Sequence, residues 1–287
     1  MKQPAHLDSV FSLKLAVDST DFVDCQRLQK LVWGMNELDI VPAHLLRVFV
    51  DGGGLIINAY SHTKKPVGTT ISFPMKYAGK PILYSHMTGV LRDYHSKGIG
   101  LALKLEQRNF ALKEGYDLVC WTYDPLRSQN NWFNLNKLGA IARTYYANYY
   151  GNLAAQLYRG HESDRFLAEW WIKTPRVKNT LELKLKTNTA SSVTLNETRA
   201  KNGVRIPWGK PKMLVRARTL RVEIPTYIDR LHDEDSSALK RWRKDLRQLC
   251  LRYFNRGYIA TAAEADEVTD RTFIRLERGP LQRILRN

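Results

Sequence analysis

Tyr94-His95-Ser96-Lys97-Gly98-Ile99-Gly100 lies between an apolar run, Pro81 to Leu91, and an amphipathic run, Leu101 to Lys113. Read in order, these are a strand, a tight glycine-bearing turn and a helix. Such a junction aims several backbone N–H groups at one spot, with the positive end of the helix dipole behind them, and suits a pyrophosphate. Gly98 and Gly100 carry no Cβ, so a ligand can come close to the chain. Lys97 adds a mobile cation. The spacing lacks the third glycine of a dinucleotide fingerprint and the terminal Gly-Lys-Ser/Thr of a Walker loop. The plainer alternative is a helix N-terminus that binds only water.

Upstream, Phe11 to Val17 alternates as a strand does, and Asp18-Ser19 can cap a helix carrying Phe22, Val23, Leu28, Leu31 and Val32 and ending at Gly34. Arg47–Val50 and Leu55–Tyr60 read as strand flanking Asp51-Gly52-Gly53-Gly54, a turn or bulge within one element. Val67–Phe73 and Pro81–Leu91 follow as the third and fourth strands. The helix after the glycine turn is expected to turn Ala102, Leu103, Leu105, Phe110 and Leu112 inward and Lys104, Gln107, Arg108 and Lys113 to solvent, with Gly115 capping it. Downstream come a strand at Tyr116–Trp121, a short helix at Gln129–Leu138, strands at Ile141–Tyr146 and Arg165–Ile172, and a long loop at Ala147–Asp164. Pro175–Pro211 reads as a polar linker with one strand at Thr180–Lys186. Lys212–Ile224, Tyr258–Ala262 and Thr272–Leu276 read as strands. Ser236–Asn255 reads as a helix with Leu239, Trp242, Leu246, Leu249, Cys250 and Tyr253 on one face.

This order of elements, together with the glycine turn, resembles the GNAT acetyltransferase superfamily over about Phe11 to Ile172. In that family a Gln/Arg-x-x-Gly-x-Gly/Ala loop binds acyl-CoA after the fourth strand; His95 stands here where Gln or Arg is usual. Asn130 to Ala140 is similar to the helix that closes over the acyl-CoA arm. Trp121–Leu126, Asn134–Ala140 and Ser163–Phe166 resemble a branch of GNAT-like proteins that carries these runs together. The resemblance implies an α/β (α+β) fold, a mixed, mostly antiparallel sheet flanked by helices. With the polar composition of 173–211 and the element pattern beyond it, the expected organisation is a GNAT-like acyl-CoA-binding domain (1–172), a polar linker (173–211) and a smaller basic α+β extension (212–287).

It also implies attack by an amine on an acyl-CoA thioester, with acetyl-CoA as the default co-substrate. The CoA would lie on His95, Ser96, Lys97, Gly98, Ile99 and Gly100. A backbone N–H near Val90 or Leu91 would stabilise the thioester oxygen where strands four and five splay, and Asn131 would contact the pantetheine arm. The family's general-acid Tyr maps onto Leu135, which holds no proton to give. Tyr123, Asp124 and Tyr149 are candidate replacements, or the thiolate leaves unaided. For the base, His86 is the first candidate and Asp124 the second; the plain reading of His86 is a strand histidine. Asn134 and Asn136 cost helix propensity and would line a cleft or an exposed face. Arg165 would clamp a substrate carboxylate or pair with Asp164 or Glu169. Tyr145, Tyr146, Tyr149 and Tyr150 would wall an acceptor pocket or pack a sheet end.

The chain has 287 residues and net charge +17. Residues 1–172 hold 19 Lys/Arg and 15 Asp/Glu, and residues 173–287 hold 26 and 13, so the excess is C-terminal. That asymmetry permits a nucleic-acid partner, and Lys240, Arg241, Arg243, Lys244, Arg247, Arg252 and Arg256 are its candidate surface. A solvated helix face is the plainer account and the one preferred on sequence. Cys25, Cys120 and Cys250 are too few and scattered for a disulfide framework or a zinc site. Met1–Val17 lacks the layout of a secretory signal, and no apolar run reaches membrane-spanning length. The expectation is a cytoplasmic CoA-dependent acyltransferase without metal, acting on a small-molecule or protein amine and open to homodimer formation. The alternative is a non-catalytic CoA-binding or nucleic-acid-associated protein.

Overall fold

A computed structural model describes residues 11–151, 162–183 and 192–286. The expected N-terminal stretch up to Val10, the middle of the 147–164 loop and the end of the strand read at Thr180–Lys186 lie outside the described residues. The chain forms two compact units, Met1–Cys120 and Trp121–Asn287.

In the first unit, strands β1 (Phe11–Leu15), β2 (Leu55–Ser61), β3 (Pro66–Tyr77) and β4 (Lys80–Val90) pair antiparallel in that order. Strand β5 (Leu118–Tyr123) joins β4 in parallel. The two-residue period of β2 sends Ile56 to one face and Leu55 and Ile57 to the other. On the first face Ile56 packs with Phe22, Cys25 and Leu46, from helices α1 (Ser19–Trp33) and α2 (Ala43–Asp51). On the second, Leu55 and Ile57 pack with Ile99 and Leu103 of helix α3 (Ile99–Lys113). Helix α1 opens on a reciprocal box in which Asp18 accepts from the Asp21 amide and Asp21 from the Asp18 amide, and closes at left-handed Gly34.

Arg47–Val50, expected as strand, lies inside helix α2, capped by Pro42. The β-branched run there is overridden because Leu46 is needed in the core, and the glycines after it end a helix, the Gly54 amide donating to the Phe49 carbonyl. A second correction concerns α3: Lys104 and Gln107, expected in solvent, are buried.

In the second unit the sheet order is β7 (Arg165–Trp171), β6 (Ile141–Tyr146), β12 (Tyr258–Asp266), β13 (Arg271–Arg278), β11 (Thr219–Ile224) and β8 (Val193–Thr194). All these ladders are antiparallel except β11–β8. Strands β9 (Glu197–Lys201) and β10 (Val204–Trp208) form a separate hairpin. A one-turn helix α4 (Ser128–Asn131) runs into a π turn at Trp132–Lys137, where the Leu138 amide reaches back to the Phe133 carbonyl. The stretch 173–211 is more than a linker. It holds helix α5 (Pro175–Leu181), β8, β9 and β10, and Thr180, read as strand, sits in α5 with its hydroxyl on the Arg176 carbonyl. Helices α6 (Ile228–Glu234), α7 (Ser236–Phe254) and α8 (Leu281–Arg286) complete the unit. Trp242 and Tyr253 of α7 are fully buried, as are Phe166, Trp170, Tyr258 and Phe273. The chain thus has the expected class, a mixed and mostly antiparallel sheet flanked by helices. No described helix is long and apolar enough to cross a membrane.

Candidate functional site

Strand β4 changes partners midway. Its ladder with β5 holds two positions, Leu83↔Val119 and Tyr84↔Cys120, while its ladder with β3 continues to Val90. Immediately past Tyr84, Ser72 faces Ser85 and Ile71 faces Met87, so His86 is the extra residue of a β-bulge. A bulge bends and twists its strand, and this one lies where β4 gives up β5. At the strand end the Leu91 amide donates to the Val67 carbonyl at 2.8 Å. Val90, opposite Gly68, therefore occupies a non-hydrogen-bonded position, its N–H and C=O turned away from β3. The carbonyl meets His95 Nε2 at 2.9 Å. Of the two amides expected near the thioester oxygen, that of Leu91 is spent in the sheet, and that of Val90 faces outward.

The turn after β4 is a short 3₁₀ segment, Arg92–Tyr94, followed by left-handed Ser96 (φ 61°) and Gly98 (φ 80°) on either side of Lys97. Successive amides in such a turn form an anion-binding concavity. Helix α3 has no side-chain cap, and its first inward bond runs from the Ala102 amide to the Gly98 carbonyl. The amides of Lys97, Gly98, Ile99, Gly100 and Leu101 meet no acceptor among the described residues. Ser96, Lys97 and Gly98 are exposed, and the Lys97 ammonium stands 4.5 Å over the Tyr94 ring. This is an uncapped, positively polarised helix start beside the free edge of β4.

Behind it lies a buried polar cluster that sequence reasoning missed. Lys104 Nζ donates to Ser85 Oγ (3.2 Å) and Gln107 Oε1 (2.5 Å). Gln107 Nε2 donates to Ser72 Oγ (2.5 Å), Ser85 Oγ (3.0 Å) and Thr70 Oγ1 (3.2 Å). Burial holds the Lys104 amine well below the usual lysine range. The available signal was Thr70 and Ser72 at strand spacing on one face, beside a Lys and Gln three apart on the next helix. His86 lies half-buried against Phe73, ring centroids 5.9 Å apart, and burial lowers its pKa, favouring the neutral imidazole.

In the second unit the predicted site residues are mostly bound into the fold. Asp124 is buried, with Oδ1 on the Leu126 amide (2.9 Å) and Oδ2 on Arg243 Nη2 (3.2 Å), so its lone pairs face partners rather than a substrate proton. Tyr123 is buried, donates to Asn131 Oδ1 (3.2 Å), and is pushed well above the usual phenol range by desolvation. Asn131 Nδ2 is taken by the carbonyls of Pro125 and Arg127 (2.7 and 3.1 Å), which leaves no amide proton for a pantetheine arm. Asn136 brackets Ala263 of β12 with bonds of 2.7 and 2.8 Å, Asn134 is buried beside it in the π turn, and Leu135 is core. Arg165 is buried with its guanidinium 5.2 Å from the Tyr150 ring centroid; Asp164 is held by Arg247 and Glu169 by Arg143. Tyr149 is exposed and stacks between Tyr146 and Tyr150. No trio of His, Cys, Asp or Glu among the described residues could hold a metal.

No protein-family model and no curated protein matches the chain. Among solved structures it is similar to the NatC complex bound to Gag peptide and CoA (19% identity, 56% of this chain and 98% of that one, TM-score 0.45). It is also similar to a GNAT family acetyltransferase from Elizabethkingia anophelis with acetyl-CoA bound (13%, 57% and 99%, 0.42). An aminoglycoside acetyltransferase from an uncultured soil metagenomic sample, in complex with sisomicin, is a third (21%, 42% and 82%, 0.37).

Proposed function

We propose that the chain is an acyltransferase of the GNAT type that moves an acyl group, acetyl by default, from acyl-CoA to an amine. One observation carries the reading: five backbone amides at Lys97–Leu101 without acceptors, at an uncapped helix start directly after a bulged strand. Helix-start amides without an acceptor in the chain are available to an anion, and a diphosphate supplies several acceptors at once. The Val90 N–H, turned off β3, is the donor suited to negative charge growing on a thioester oxygen. The amine nitrogen attacks the thioester carbon, the carbonyl π electrons move to oxygen, and their return expels the thiolate of CoA. His86, neutral by virtue of burial, is the side chain we assign to take the amine proton. The thiolate leaves as such, since Tyr123 and Asp124 are tied elsewhere.

Titration calorimetry with acetyl-CoA tests the binding half, and thiol release in the presence of a panel of primary amines tests the transfer half. The native chain is expected to give saturable heat at one equivalent, lost in Gly98→Trp, whose side chain would fill the concavity. Absence of heat overturns the reading. Heat without thiol release for any amine leaves a CoA-binding protein and removes the enzyme.

A further inference from the structure

Helix α7 divides its charge in a way the sequence alone did not reveal. Arg243 is buried on Asp124 and Arg247 is held by Asp164, so two of the six basic residues of α7 belong to the fold. Lys240 and Lys244 remain exposed on the outer face, one turn apart. With Lys210 they line a groove of about 620 Å³ between α7 and the chain leaving β10, floored by Pro211 and Met213. Arg241 pins the groove wall by donating to the Gly209 carbonyl. Arg241 and Asp245 also line the groove, Asp245 3.8 Å from the Arg241 guanidinium and within electrostatic reach of Lys244, so four cations there face one carboxylate. Like charges one turn apart repel, and the excess positive charge of the groove is complementary to an anion.

The residue before the groove narrows the class of anion. Trp208, the last of β10, is 50% exposed, and the Arg199 guanidinium lies 3.8 Å from its ring centroid. An exposed indole with a stacked guanidinium is a platform for planar rings, which a lipid surface or an acidic peptide does not need. Lys240 and Lys244 are separated by about 6 Å along the helix, of the order of one nucleotide step in an extended strand. Basic residues tracking a backbone beside an aromatic stacking face are the physical requirements for single-stranded nucleic acid. We infer that the groove of Lys210, Lys240 and Lys244, with Trp208 next in the chain to Gly209 of its lining, binds a single strand of nucleic acid. This inference is independent of the acyl-transfer reading.

The test is fluorescence anisotropy of the full chain with a labelled oligouridylate of about twenty nucleotides, across a salt series. Each neutralised phosphate adds about 0.7 to the log–log salt slope for a single strand. Lys240→Glu/Lys244→Glu is expected to weaken binding at least tenfold and to lower the slope by about 1.4. Trp208→Ala is expected to weaken it about fivefold or more, and Trp208→Phe to restore most of that. Thermal melts confirm that each variant folds; Lys210→Ala, on the loop outside α7, serves if the double variant does not. The inference fails if the oligonucleotide does not bind at low salt, or if the lysine variants bind as the native chain does. It also fails if Trp208→Ala is without effect while inorganic polyphosphate or phosphatidylserine vesicles compete at equal phosphate, which would make the groove a general polyanion patch.

Discussion

Lys104 shows how a single residue can be hidden by its own chemistry. A lysine on an amphipathic helix is read as solvent-facing, because burying its charge is costly. Here burial lowers the pKa of the amine, which donates to Ser85 and Gln107. Lys104→Met would leave Gln107 Oε1 without that donor, at a cost of about 1–3 kcal/mol. The native lysine carries the opposite liability. Its folded pKa lies below the ordinary 10.5, so the unfolded chain binds a proton that the folded chain refuses. Native stability therefore falls as pH drops below 10.5, and the methionine variant does not share that fall. Urea midpoints should show the variant less stable at pH 10, with the gap narrowing toward pH 7. A gap that widens toward pH 7 would mean that the folded amine is charged. The same physics acts on His86, whose imidazole is lowered from 6.5 by burial. If it is the base, the acid limb of kcat/KM has its midpoint below 6.5, and His86→Gln loses that limb along with about 10²–10⁴ in rate. A glutamine variant with the native rate and limb removes His86 from the reaction.

At the scale of elements, what could be read from sequence depended on whether local signals and packing agreed. The strand–turn–helix at Pro81 to Lys113 was legible because glycines, an apolar strand and helical spacing all pointed the same way, and β4, the turn and α3 stand there. Helix α7 was legible for the same reason, its stripe of Leu239, Trp242, Leu246, Leu249, Cys250 and Tyr253 being fully buried or nearly so. Helix α2 was not, since a run as short as Arg-Val-Phe-Val carries no period and its β-branched residues point to strand. Nor were β9 and β10, which are polar on one face and pair only with each other. The candidate site divided likewise. Backbone donors follow from element order and could be anticipated. Whether Asp124 faces a ligand depends on a partner far off in sequence, Arg243, and Asn131 is turned inward by the irregular 123–127 backbone, which shows no period in the sequence. Helix α7 also rests on a cap that was not anticipated: Asp235 accepts from the Ala238 amide, Ser237 and Lys201, which lower its pKa to about 2. Its contribution is present above the ordinary 3.8 and disappears as pH falls toward 2. Asp235→Ala should cost about 1 kcal/mol near neutrality, Asp235→Asn less, and the native chain's advantage over each variant should shrink as pH falls from the ordinary 3.8 through about 2. A constant offset across that range would assign the loss to packing instead of the cap.

Across the whole molecule the charge is divided unequally. Residues 1–120 carry 14 Lys/Arg against 11 Asp/Glu, and residues 121–287 carry 31 against 17. The unit with the open amides is therefore nearly balanced, and the unit with the lysine groove is strongly basic. An overall +17 attracts any polyanion, so binding of acetyl-CoA at low salt would not by itself distinguish a built site from a charged surface. Salt separates the two. Attraction between exposed charges is screened within about 8–10 Å at physiological ionic strength, whereas amide hydrogen bonds to a diphosphate on a helix start are short-range and survive. If the amides of Lys97–Leu101 hold CoA, raising KCl from about 0.1 to 0.5 M should weaken acetyl-CoA less than about threefold, while oligonucleotide binding with two or three phosphate contacts falls about tenfold to thirtyfold, in line with a slope of −1.4 to −2.1. Calorimetry and anisotropy on one preparation, with Gly98→Trp and Lys240→Glu/Lys244→Glu beside the native chain, read both. Each variant should lose one ligand and keep the other. Loss of acetyl-CoA binding in the lysine variant, with a salt slope matching that of the oligonucleotide, would place CoA on the basic surface of the second unit and leave the open amides without a ligand.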